Sequence, residues 1–68
     1  MWMLSNDGTT ADLYIHSDPC GPRPRQLYAY RDESEARSAA GCFDCEPVQV
    51  TEEEAQRLAQ NYRAELIS

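Results

Sequence analysis

The residues best suited to chemistry in this chain are one histidine and three cysteines, arranged as two short pairs: His16-x3-Cys20 and Cys42-x2-Cys45. Two close pairs of nitrogen and sulfur donors, brought together by folding, are what a tetrahedral Cys3His zinc site requires. Such an ion would staple two loops in a chain too small for a large core and make it a small structural-zinc adaptor domain. The competing expectation is three small thiols and a surface histidine, with no cofactor at all. Redox use of Cys42 and Cys45 is disfavoured by their placement. A reactive thiol is activated at a helix N-terminus, whereas here a helix is expected to end before the pair and a strand to follow it. A Cys/His/Asp nucleophilic centre can be drawn from Cys20 or Cys42 with His16, but with a dozen acids in the chain that drawing is not selective. There is no glycine-rich phosphate loop and no paired-carboxylate motif at a recognisable spacing. The expectation is a non-enzymatic protein.

Charge gives the second signal. Twelve carboxylates stand against six arginines, with no lysine, for a formal net charge of −6. The acids cluster: Asp32, Glu33 and Glu35 form one block, Glu52, Glu53 and Glu54 another, and Asp44 and Glu46 lie between them. A surface of this sign repels nucleic acid and anionic lipid and favours basic partners. Acids at helix starts are also what the helix dipole prefers. The functional reading adds that both helix starts face a basic surface on a larger protein or nucleoprotein complex, imitating a phosphate backbone. Small acidic inhibitors encoded by phages and mobile elements, anti-CRISPR proteins among them, share this size and charge. That is an analogy without a motif.

Aromatic residues supply a third candidate. Period-two alternation that turns Trp2, Leu4, Leu13, Ile15, Val48 and Val50 toward the helices sends Met1, Met3, Tyr14 and His16 to the other side. Tyr28 and Tyr30 join them where Leu27 and Ala29 face inward, and the opposite facing of that strand is equally open to the pattern. An apolar, aromatic sheet face of that kind marks a partner surface or a homodimer contact; the competing expectation is tyrosines lying flat over the sheet with no partner. Direct nucleic-acid binding through these rings would need a basic groove, and the chain offers only Arg23, Arg25 and Arg31.

The elements that must position these residues follow from local pattern. The 68 residues allow one small domain, and 41% hydrophobic with 26% charged residues place it in the globular class. The N-terminus lacks signal-peptide character and no run is long enough to span a membrane, so a cytoplasmic chain with reduced thiols is expected. Met1–Ser5 and Thr9–His16 read as strands joined by a hairpin turn at Asn6-Asp7-Gly8. Ser17 to Gln26 holds three of the four prolines and reads as a loop. Leu27–Tyr30 reads as a third strand. Asp32 caps a helix that Glu35 completes as a capping box and Gly41 ends. Cys45–Val50 reads as a fourth strand, with Pro47 at its start or on an edge. Thr51 caps a second helix, with Glu54 closing its box, and Ala55, Leu58, Ala59, Tyr62 and Leu66 at helical spacing to about Ile67. The expected fold is α+β: a four-stranded mixed sheet, made of an N-terminal β-hairpin and a β-α-β unit, with both helices packed on one face.

Overall fold

A computed structural model describes residues 1–16 and 25–67. Seven elements follow one another: β1 (Trp2–Ser5), β2 (Ile15–His16), β3 (Arg25–Tyr30), α1 (Glu33–Phe43), β4 (Glu46–Gln49), α2 (Glu52–Asn61) and β5 (Ala64–Ile67). The class is α+β, as the local pattern implies, with two helices and a five-stranded sheet rather than a four-stranded one.

β3 is the hub. Leu27 pairs with Ile15 of β2 and with Leu66 of β5, so those two strands occupy its opposite edges. The β3–β5 pairing is parallel and every other pairing is antiparallel. The C-terminal end of β3 pairs with β1, which pairs in turn with β4. The β3–α1–β4 unit therefore runs parallel as expected, but β1 is inserted between its two strands. An N-terminal strand antiparallel to both satisfies the backbone donors and acceptors of each.

The expected tight hairpin is replaced by a longer loop. Ser5 bridges Leu13, Tyr14 N–H donates to the Leu4 carbonyl at 3.0 Å, and Asn6 N–H donates to the Asp12 carbonyl at 2.9 Å. The turn thus runs through residues 6–12, and the second strand shrinks from Thr9–His16 to its last residues. The cause is local polar competition. The buried Ser5 hydroxyl lies within hydrogen-bond reach of the Thr9 and Asp12 carbonyls and of the Asp7 carboxylate. Asp7 accepts in turn from Thr9 N–H at 2.9 Å and from the Thr9 hydroxyl at 2.8 Å. This Asx-type turn claims backbone that a ladder would otherwise use. Gly8 supplies the positive φ of 83° that the loop needs.

Both helix starts form where the sequence places them. Asp32 accepts from Ser34 N–H at 3.0 Å, and Thr51 Oγ1 accepts from Glu54 N–H at 3.0 Å. The ends differ. α1 runs past Gly41 to Phe43 and closes on Asp44, whose φ of 57° is left-handed, with Cys45 N–H donating to the Ala40 carbonyl at 2.8 Å. α2 stops at Asn61, where Tyr62 and a left-handed Arg63 (φ 52°) turn the chain into β5. Leu66 consequently sits in a strand, not on a helix face.

The helices lie on opposite faces of the sheet, which corrects the single-face expectation. Met3, Leu13, Leu27, Ala29 and Val50 form one buried cluster with Ala55 and Ala59 of α2. Leu4 and the alanines Ala36 and Ala40 of α1 are buried outside it. Neighbours along a strand face opposite ways, so Met3 and Leu4 serve different layers. Trp2, expected inward with Leu4, is half-buried, and Met3, expected on an open face, is 1% exposed. The stripes Ala36/Ala40 and Ala55/Ala59 let both helices approach the sheet closely, which a thin three-layer domain requires.

Candidate interaction surface

The pairing of Trp2 with both Tyr30 and Gln49 fixes the geometry of the acidic blocks. Tyr30 and Gln49 end β3 and β4 on either side of β1, and each helix N-cap, Asp32 or Thr51, follows two residues later. Both helix N-termini therefore emerge at the same end of the sheet, one on each face. Asp32, Glu33 and Glu35 start α1 on the face that carries the half-buried rings of Trp2 and Tyr30, and Glu52, Glu53 and Glu54 start α2 at the same end on the other face. An open cleft of about 360 Å³ at this end is lined by Ala29, Tyr30, Arg31, Asp32 and Glu35. Burial pushes the Tyr30 phenol above its ordinary value, with Tyr28, Glu35 and Cys42 adding to the effect, so it remains a neutral hydrogen-bonding group there. Among the described residues the one ion pair is Arg37 with Glu33, at 2.7 Å on the exposed face of α1. Among the described residues the other carboxylates of this end form no ion pair, although Arg31 lines the cleft with Asp32 and Glu35.

Asp44 and Glu46 belong elsewhere. They follow the C-terminus of α1, and the pairing of Ser5 with Glu46 puts them at the opposite end of β1 from Trp2. The anticipated acidic surface is thus two-ended, with the larger share at the helix starts.

The anticipated open aromatic face forms only in part. Met3 is in the core, and Met1 packs against the α2 cluster. Tyr14, His16 and Tyr28 do come together, joined by Phe43 from the last turn of α1. Tyr28 and Phe43 have ring centroids 5.6 Å apart and planes 12° from parallel. Tyr14 stacks on Phe43 at 5.2 Å and 28°, and on Tyr28 at 6.4 Å and 18°. His16 tilts against Tyr28 at 6.0 Å. Tyr30 shares the strand face but sits toward the acidic end. Phe43 was not legible as a site residue, because the pattern ends the helix at Gly41 and leaves Phe43 in a turn. The one signal for it was its place within Cys42-Phe43-Asp44-Cys45.

The four metal candidates are only partly placed. Cys20 lies outside the described residues, as does Arg23. Cys42 is exposed on α1, and Cys45 is half-buried after it, both as free thiols. The Cys45 thiol points to Asn6 Oδ1 (3.7 Å) and the Phe43 carbonyl (3.3 Å). Burial, then the neighbouring Asp44, pushes its pKa up, which favours the thiol over a ligating thiolate. Among the described residues no three histidine, cysteine or carboxylate side chains converge as a metal would need. No described helix is long and apolar enough to cross a membrane.

No protein-family model matches the chain, and neither a curated protein nor a solved structure matches it significantly. The functional reading therefore rests on these surfaces alone.

Proposed function

We propose that this protein is a non-enzymatic binding module that docks its acidic end onto a basic surface of a larger protein or nucleoprotein complex. The observation that supports this reading most is the shared end of the sheet from which α1 and α2 both start. A net charge of −6 spread evenly would serve solubility; six carboxylates at one end of the sheet, with Trp2 and Tyr30 beside those of α1, give a directional field with an apolar group next to it. Charge of this kind steers association and selects a partner more than it adds raw affinity. A partner site that ordinarily holds a phosphate backbone has the matching sign, so the module competes with nucleic acid there and acts as an inhibitor.

The test is a captured complex from the source cell, mapped by cross-linking and measured for affinity against salt. The double charge reversal Glu52→Lys with Glu53→Lys should weaken binding at least tenfold at low salt and flatten the salt dependence. Neither helix cap is touched, so the fold should persist. An unchanged affinity would reduce the acids to helix-start electrostatics, worth about 0.3–1 kcal/mol each.

A further inference from the structure

We propose that the ring platform formed by Tyr14, Tyr28 and Phe43 receives an arginine side chain of a protein partner, with the planar guanidinium lying against the rings. This site lies at the opposite end of β1 from the acidic surface and takes only the cationic character of the partner from that reading.

Four observations converge on a cation. First, the three rings are within 28° of parallel and hold one another in place, giving a preset π surface rather than scattered aromatics. Ring faces carry negative quadrupole density and attract a cation laid on them. Second, Phe43 is 38% exposed, the one large apolar side chain so exposed among the described residues. Third, the platform stands at the C-terminus of α1, the negative end of its dipole, and the last turn holds no basic residue. Asp44 adds a carboxylate one residue beyond Phe43. Fourth, alternation from Tyr28 puts Gln26 and its parallel-strand partner Glu65 on the same sheet face, so an exposed carboxylate lies two residues along β5 from Ile67, the partner of Tyr28. α1 packs chiefly over β1 and β4 and to a lesser extent over β3, where Phe43 meets Tyr28. Among the described residues no arginine packs on these rings.

Charge complementarity selects the occupant. An apolar partner side chain would make no use of the negative α1 C-terminus or of the nearby acids Asp44 and Glu65, and an anion would meet like charge. Arginine is favoured over lysine because its guanidinium is flat, weakly hydrated and able to stack while its edge donates to a carboxylate.

The experiment uses the full chain, isotopically labelled, titrated with two charge-matched probes: acetylated tetra-arginine amide and acetylated tetra-lysine amide, at neutral pH and moderate salt. Saturable shifts at Tyr14, Tyr28 and Phe43 are expected with the arginine peptide, binding roughly two- to fivefold tighter than the lysine peptide. Phe43→Ala should abolish that preference, and Tyr28→Leu provides a second variant. A preserved far-ultraviolet spectrum will show that each variant folds. The Glu52→Lys, Glu53→Lys protein should keep the preference. Equal affinity for the two peptides, shifts confined to the helix-start end, or a preference that survives Phe43→Ala would overturn the proposal. If the reversals leave partner binding intact while the arginine preference persists, the acidic-end reading fails and this one stands.

Discussion

The Tyr62 hydroxyl donates to the Ala11 carbonyl at 3.1 Å, joining the end of α2 to a loop fifty-one residues earlier in the chain. The same oxygen accepts from Leu13 N–H at 3.4 Å. One phenol thus partners a carbonyl of the 6–12 loop and the N–H of the residue that follows it. Tyr62→Phe should cost about 0.5–1.5 kcal/mol in urea unfolding, with little change in helix content. Faster amide exchange at Leu13 should accompany it.

Arg63 holds φ at 52°, in the left-handed region, immediately after α2. Glycine occupies that region without the Cβ penalty, and helices commonly end on it. Arg63→Gly should therefore raise stability by up to about 1 kcal/mol, read as a higher urea midpoint at unchanged slope. A loss of stability would show that the arginine side chain makes a contact worth more than the strain.

The two described thiols should differ in reactivity. Cys42 is exposed, whereas Cys45 is partly covered and its pKa is pushed up by burial and by Asp44. Alkylation at neutral pH, followed by peptide mass spectrometry, should modify Cys42 several times faster than Cys45 in the folded protein. Unfolding in denaturant should erase the difference.

The Asp7 carboxylate is held below its ordinary value of 3.8, chiefly by the Thr9 backbone N–H and then by the Thr9 hydroxyl. A depressed carboxylate stabilises the fold fully above its unfolded pKa, and that contribution fades as pH falls from there through the lower folded pKa. The 6–12 loop should thus loosen only in acid below about pH 4. The Thr9 amide resonance should report the transition, and Asp7→Asn should remove it. A Thr9 amide that titrates near neutrality would assign the turn to another group.

Local chemistry decided the parts of this protein that depend on neighbours in sequence. Asp32 and Thr51 cap helices because their oxygens reach N–H groups two and three residues away, whatever the rest of the chain does. Ala36, Ala40, Ala55 and Ala59 line the buried helix stripes for the same reason of spacing. The net charge and the two acidic blocks are likewise properties of composition. What folding alone settled is where these pieces meet. The chain carries no glycine after Asn61, so nothing local announced that α2 would end there and that Leu66 would join a strand beside Leu27. Nothing local announced that β1 would separate β3 from β4, because strand order is chosen by which faces and edges can all be covered together. That choice placed the helices on opposite faces and brought both of their N-termini to one end. It also seated Phe43 on Tyr14 and Tyr28, a contact between residues far apart in sequence whose energy exists only once the layers have packed.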